Sequence, residues 1–417
     1  MKLLIYSHFF APSIGGVETL VLSLSRGLAA LRDGSGIPED EPRFEITLVT
    51  QTPAETYDDR VLPFRVIRRP SNLQLWRLIR ATDVLHVAGP ALTPLIFGLL
   101  ARKPVVVEHH GFQTICPNGQ LLIEPAGTPC PGHFMAGHHS VCLRCNSSQG
   151  WLVSAKLWLL TFARRFLCAR VAANITPTRW LGQLIRIPRS VAVPHGVVGL
   201  PDATVPRGTD TLPRRTASVP QESAASATSS VDSPSGNPPV IAFLGRLVTT
   251  KGVATLLEAV QILRRASKVF TVLVVGDGPE RRALEESTNA SQLAGIVRFT
   301  GRLSASELDA AVASVSIVVV PSLGGEVFGL VVAENMLRSL PVVASDLGAF
   351  VEVLGDAGLT FETGNASALA EQLARLLDDP NLRVTLGKRA RERATQFCDF
   401  QLMLAAHEKV YRDALIR

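Results

Sequence analysis

The second half of the chain carries two cations and two carboxylates with the types and spacing to grip a phosphorylated ligand. Arg246 follows the apolar run VIAFLG (240–245), and Lys251-Gly252 opens the helix expected next. A guanidinium grips a diphosphate with its fork, and an ammonium acts on it as a point charge. Cations are disfavoured at a helix start unless an anion sits there. Further on, SIVVVPS (316–322) runs into a glycine-bearing loop and then a helix. Glu326 lies in that loop, and Glu334 lies about two turns into the helix by its spacing. The amides around Phe328, Gly329, Leu330 and Val331 form a helix N-terminus, where unpaired N–H groups and the helix dipole suit a phosphate. A carboxylate only accepts hydrogen bonds, so one along this helix suits the paired hydroxyls of a ribose. Taken singly, each residue has a plainer reading: a capping acid, a surface glutamate, a solvated helix start.

Weaker signals surround these. Gly245 ends VIAFLG, and Gly276 sits in VVGDGPE (274–280), a strand, a tight turn and a helix start. The third glycine of a dinucleotide fingerprint is missing there, so the segment either holds a base or, the reading favoured, turns the chain. In the first half, APSIGGVET (11–19) follows the first apolar run; Gly15 and Gly16 let a phosphate or sugar approach the backbone, or simply enter a helix. PVVVEHH (104–110) ends on His109 and His110, and a histidine at a strand's carboxyl end can hydrogen-bond a ligand in a cleft. Cys116, Cys130, Cys142 and Cys145 lie close in sequence, with His133, His138 and His139 among them. Cys142-x-x-Cys145 has the spacing of half a zinc site. Four thiolates would close a structural zinc; reduced thiols that bind nothing are the other reading.

These residues need elements to hold them. The chain has 417 residues, 47% hydrophobic and 19% charged, too long for one core, so two domains are expected. Strands are expected at 2–7, 45–50, 83–88, 104–110, 171–176 and 190–195, then at 240–245, 270–276, 297–301, 316–322 and 341–346. Helical periodicity lies between many of them, as in Val17, Leu20, Val21, Leu24 and Leu28. Such alternation predicts parallel sheets covered by helices, an α/β fold. Residues 199–238 are rich in Pro, Ser, Thr and Ala and are read as a disordered linker. The expected division is 1–198, this linker, 239–398, and a last helix over 399–417, with a ligand cleft between the two α/β halves.

The net charge of +6 is modest for this length and gives no support to a nucleic-acid partner. Arginines crowd 60–80 and 164–189, which suits an anionic lipid or acceptor as well as it suits a solvated surface. No run is long enough to span a membrane, and MKLLIYSHFFAP reads as a buried strand rather than a signal peptide. A cytoplasmic chain with reduced cysteines is therefore expected. WLVSAKLWLLTFARRFLCAR (151–170) reads as a very apolar helix with basic punctuation. It either lies on a membrane surface or, the reading favoured, is buried in the first domain.

As a set, GRLVTTKG, VVGDGPE, EVFGLVVAE and PVVASDLGAFVEVL resemble the retaining glycosyltransferases of family 4, which have the GT-B fold. The resemblance spans nearly all of 240–415, and Gly-Gly-Val-Glu at 15–18 extends it into the first half. It implies two Rossmann-like domains facing a cleft, and transfer of a sugar from a nucleotide diphosphate to a hydroxyl of a saccharide or lipid-linked saccharide. It places Arg246 and Lys251 on the diphosphate with the amides near Phe328, Gly329 and Leu330, Glu334 on the ribose, and Glu326 on the donor sugar. His110 matches a histidine of the family, but Gly111 stands where an Asp often follows, and Asn365 also replaces a frequent Asp. The last helix looks like one that crosses back to the first domain. A subset of the family has a similar Cys-rich insertion after CP-x-G-Q. No Asp-x-Asp occurs, so the two cations are expected to replace a metal ion on the diphosphate, with no cofactor needed for catalysis. A nucleotide-sugar epimerase and a non-catalytic glycan-assembly protein are the competing expectations.

Overall fold

The computed structural model describes residues 1–13, 15–32, 43–55, 57–124, 126–198 and 238–416. The stretch expected as a linker lies outside them except for Pro238. The strands are β1 (Lys2–Ser7), β2 (Glu45–Thr50), β3 (Arg65–Arg68), β4 (Val84–Ala88), β5 (Val105–Glu108), β6 (Leu122–Ile123), β7 (Thr128–Pro129), β8 (Ala173–Thr176), β9 (Ser190–Ala192), β10 (Val240–Leu244), β11 (Thr271–Val275), β12 (Val297–Gly301), β13 (Ile317–Val320), β14 (Val342–Ser345) and β15 (Leu359–Phe361). The helices are α1 (Gly16–Ala30), α2 (Asn72–Ala81), α3 (Leu92–Leu100), α4 (His139–Cys145), α5 (Trp151–Cys168), α6 (Arg179–Ile185), α7 (Val253–Arg265), α8 (Arg281–Ala290), α9 (Ala305–Val312), α10 (Leu330–Leu337), α11 (Gly348–Leu354), α12 (Ala366–Asp378), α13 (Pro380–Phe397) and α14 (Phe400–Ile416).

Among the described residues the strands build two parallel sheets and one small hairpin. The first sheet runs β3-β2-β1-β4-β5-β8-β9, the second β12-β11-β10-β13-β14-β15, and β6 pairs with β7 antiparallel. Both sheets are covered on both faces, which is why their strands read as unbroken apolar runs rather than alternating ones. In β1, Leu3 and Ile5 enter one core while Leu4 and Tyr6 enter the other. In β13, Ile317 and Val319 divide from Val318 and Val320 in the same way. Chain order reverses between β1 and β4 and again between β10 and β13. Such switch points open a crevice beyond the carboxyl ends of their strands; the candidate cleft residues follow β1, β5, β10 or β13, except Gly276, which follows β11.

Two elements depart from expectation or extend it. Helix α5 is not a buried helix. Its buried side chains are Ser154, Thr161 and Cys168, seven residues apart, while Trp151, Leu152, Leu159 and Phe166 are exposed. The apolar residues run right round the helix; the fully buried stripe is narrow and heptad-spaced, flanked by Trp158 and Phe162, which pack on His139, and by Leu167 against the first-sheet core. Helix α14 packs on the first sheet: Met403, Leu404, Val410, Tyr411 and Ala414 share one core with Leu3, Leu24 and Val106. Gly196 admits it, since a Cβ there would lie 2.5 Å from Phe400 Cα.

Candidate functional site

The two halves meet around a cavity of about 190 Å³. Thr19, Leu20 and Ser23 of α1 and the 196–198 segment line it from one side, and Leu330, Glu334 and Leu337 of α10, with Arg338 just beyond, from the other. The starts of α1 and α10 nearly touch here: a Cβ on Gly16 would lie 3.3 Å from Leu330 Cδ1. Helix α10 begins at Gly329, whose φ of 94° suits glycine, and no side chain caps its first amides. Those amides therefore remain free for an anion. Half-buried Glu334 faces the cavity, and burial, against the pull of Arg338, raises its carboxyl above the ordinary value of 4.5. A carboxylate held this way gains from two hydroxyl donors.

Lys251 and Glu326, to which separate roles were expected, pair directly. Lys251 Nζ donates to Glu326 Oε1, which also accepts from Ser322 Oγ at 3.0 Å. The loops that carry them interlock: Leu323 N donates to Thr250 O at 2.8 Å, and Gly252 packs against the Pro321 carbonyl. Arg246 is exposed on the turn after β10. Gly245 and Gly276 have a structural reason to be glycine. A Cβ on Gly276, whose φ is 132°, would lie 1.8 Å from Gly245 O, so the ends of β10 and β11 close backbone to backbone.

Contacts across the cleft join the halves near this site. Gly325 N donates to Gln120 O at 2.7 Å, bringing the Cys-rich loop against the Glu326 loop. Thr178 Oγ1 donates to Val327 O at 3.1 Å. The Glu352 carboxylate of α11 accepts from Arg179 N and Trp180 N, each at 2.8 Å, and so caps α6 of the other half. The four cysteines gather around the β6–β7 hairpin. Cys145 Sγ accepts from Glu124 N at 3.3 Å, and Cys116 Sγ donates to Asn118 Oδ1 at 2.9 Å. Burial, then the neighbouring sulfurs of Cys116, Cys130 and Cys145, push the Cys142 thiol up to about 12. No three of these four thiols bring their sulfurs within 4.8 Å of one another, so the structure does not gather the expected zinc donor set.

His110 sits at the end of β5, but its Nε2 turns inward, 3.6 Å from Glu108 Oε2. Burial drives its ring down to about 3, so it is neutral at physiological pH. His109 turns the other way, to Asn174 Oδ1 at 2.9 Å, and is structural. Glu108 itself is fully buried and is ringed by His86, His110, His195 and His407. Burial alone would raise this carboxyl; the imidazoles outweigh it and hold it well below the usual range. Sequence reasoning missed Glu108, His86, His195 and His407. The available signal was an acid and a histidine inside apolar runs, VVVEHH and DVLHVA. Among the described residues, Glu108, His110 and His195 are the group whose ligand atoms gather within 4.8 Å, and none of the thiols belongs to it.

Residues 227–393, which carry β10 to β15, match the family model described as Glycosyl transferases group 1. A phosphatidyl-myo-inositol mannosyltransferase of Mycolicibacterium smegmatis is 37% identical over 174 residues, 41% of this chain and 44% of that protein. The chain thus spans less than half the length of that relative. An MMP α-(1→4)-mannosyltransferase of Mycolicibacterium hassiacum is 27% identical, over 100% of this chain and 99% of its own length. Anabaena HepE, solved in complex with UDP-glucose, superposes with a TM-score of 0.67 at 16% identity, covering 99% of each chain. Residues 227–393 thus match the group 1 glycosyl transferases, and the whole chain has the GT-B fold.

Proposed function

We propose that the protein is a retaining glycosyltransferase that moves a sugar from a nucleoside diphosphate to a hydroxyl of a saccharide or lipid-linked saccharide. The observation that carries this reading is the junction of the halves. Uncapped α10 and its half-buried Glu334 line the cavity between the halves, and the Lys251–Glu326 pair joins the loops after β10 and β13. The donor binds residues 239–398, with Glu334 on the ribose hydroxyls and the α10 amides, Arg246 and Lys251 on the diphosphate. The acceptor binds residues 1–198. As the bond from the anomeric carbon to the diphosphate oxygen breaks, charge grows on that oxygen, and the fixed cations and amides stabilise it without reorganising. The acceptor oxygen bonds to the anomeric carbon on the face the diphosphate leaves, and its proton passes to the departing diphosphate. Glu326, relayed through Lys251, touches the donor sugar, as does the outer nitrogen of His110. No metal is required on the diphosphate, since Lys251 and Arg246 supply its charge.

The exposed apolar face of α5 rests on an anionic membrane surface, as a peripheral contact on the cytoplasmic side; no described helix is long and apolar enough to cross a membrane. HepE is solved with UDP-glucose and several relatives are named mannosyltransferases, so uridine and guanosine donors are tested first. The chain is titrated with UDP-, GDP- and ADP-sugars by thermal shift, and the stabilising donor is then supplied with acceptors of the lipid-linked class. One class of nucleotide sugar is expected to raise Tm and then to be consumed only with acceptor present. Consumption without acceptor to give an epimerised donor, or no response to any donor, refutes the proposal.

A further inference from the structure

Apart from the outer nitrogen of His110, the Glu108 cluster lies outside the machinery proposed for transfer. The carboxylate ends β5 with no exposure, and no Lys or Arg among the described residues pairs with it. His86 Nε2 of β4 lies 3.3 Å from Oε2, and His407 Nε2 of α14 lies 3.6 Å from the same oxygen. His110 Nε2 lies 3.6 Å from Oε2, and His195 Nε2 lies 3.4 Å from Oε1. Both carboxylate oxygens and all four of these nitrogens are buried without a hydrogen-bond partner. A buried ion in that condition is strongly destabilising unless a cation reaches it.

The rings do not supply one by hydrogen bonding alone. His407 Nδ1 faces the Met403 carbonyl at 2.9 Å, and a carbonyl only accepts, so Nδ1 carries the proton. In the neutral ring Nε2 then presents a lone pair to an oxygen that also presents lone pairs. His86 differs, because Tyr411 OH, 3.0 Å from its Nδ1, can donate and leave Nε2–H for Glu108. That satisfies one side of the carboxylate. His110 Nε2, at the same Oε2, and His195 Nε2, at Oε1, remain unpartnered.

We propose that Glu108, His110 and His195 bind a divalent transition-metal ion of the zinc class. Their ligand atoms lie within 4.8 Å of one another. Ligand bonds of about 2.1 Å at a tetrahedral ion set ligand atoms about 3.4 Å apart. His195 Nε2 lies 3.4 Å from Oε1 and His110 Nε2 3.6 Å from Oε2, so each carboxylate oxygen already has one imidazole at about the tetrahedral spacing, and the set closes on the ion from within 4.8 Å. Two imidazoles and a carboxylate favour zinc, cobalt, nickel or iron over magnesium or calcium. The ion neutralises Glu108 and fixes His195, whose ring packs 4.8 Å from that of Phe328 beside the α10 start. It also fixes the tautomer of His110: metal on Nε2 leaves Nδ1 as the N–H of the ring. It is a positioning ion, separate from the diphosphate and from the thiols.

The experiment counts zinc in the full chain with binding at the thiols set apart. In Cys142→Ser/Cys145→Ser, one equivalent of zinc is expected to remain. Its cobalt derivative should show visible d–d bands but no thiolate charge-transfer band. Adding His110→Ala and His195→Ala should abolish that equivalent and the rise in Tm on adding zinc. A thiol variant that folds but binds no zinc, or binding indifferent to the two histidines, overturns the proposal. Should the thiol variant not fold, near-isosteric Glu108→Gln in the natural chain should lower bound zinc by one equivalent with its circular dichroism retained; unchanged zinc content overturns the proposal equally. Neither readout uses turnover, so failure here is distinct from failure of the glycosyl-transfer reading.

Discussion

Lys251 and Glu326 neutralise one another, so under the proposed function a donor diphosphate must compete for the ammonium. Lys251→Ala removes a charge that matters most as the leaving group becomes more negative. It is expected to lower kcat about 100-fold, about 3 kcal/mol, with a smaller effect on donor affinity. Glu334 makes the opposite trade. Because its carboxyl is raised by burial, the stability it lends is present below pH 4.5 and is lost as pH rises through the raised value. Glu334→Gln should therefore raise the Tm of the ligand-free protein at neutral pH and flatten its dependence on pH above 4.5. The same change should weaken donor binding by about 2 kcal/mol, since a charged acceptor is lost from the ribose. Thermal melts across pH with and without donor check both signs; a lower Tm at neutral pH would show that Glu334 is ionised without penalty. The loops that carry the second-half candidates were legible because each follows an apolar run. Their pairing was not, because Lys251 and Glu326 are 75 positions apart and periodicity carries no long-range geometry. The Glu108 cluster was hidden for the same reason, its members running from His86 to His407.

At the scale of elements, α5 is the least expected surface of the molecule. Leu152 is 82% exposed and Leu159 61%, on a helix whose buried stripe is Ser154, Thr161 and Cys168. Large apolar side chains in water cost about 25 cal/mol per Å², so this face gains if something covers it. Arg164, Arg165 and Arg170 supply positive charge near its end. Leu159→Asp/Phe166→Asp is expected to abolish sedimentation with vesicles rich in anionic lipid. It should leave turnover on a water-soluble acceptor within about twofold, since neither residue lines the cleft. Retained binding to vesicles would assign the face to another role. Sequence alone did not separate a membrane-facing helix from a buried one, because both are apolar all round; only the neighbours decide. The hairpin β6–β7 and the strands β3 and β15 escaped notice for a simpler reason, each being two to four residues long.

At the scale of the whole molecule, the sheets were legible and the way they lean together was not. Apolar strand runs announce two doubly covered parallel sheets, but the contacts that set the cleft are single hydrogen bonds between residues more than 100 positions apart. The Glu352 carboxylate accepts from Arg179 N and Trp180 N, while Thr178 Oγ1 accepts from Leu181 N, so the first three amides of α6 are all satisfied. Trp180 also lies flat against Gly348, where a Cβ would come within 2.1 Å of the indole nitrogen. Bonds from amides to a charged acceptor contribute about 1.5–3 kcal/mol, enough to shift an opening equilibrium about tenfold or more. Glu352→Ala leaves those two amides to water and removes the tie without touching either core. The ligand-free variant is expected to show a larger radius of gyration by small-angle X-ray scattering. Donor affinity should fall up to about tenfold, because binding must then restore the closed arrangement. Gly348→Ala, which wedges the same junction through Trp180, should act in the same direction. If both variants scatter as the natural chain does, α11 and α6 do not hold the cleft closed, and the Gln120–Gly325 bond and the α14 packing carry that duty instead.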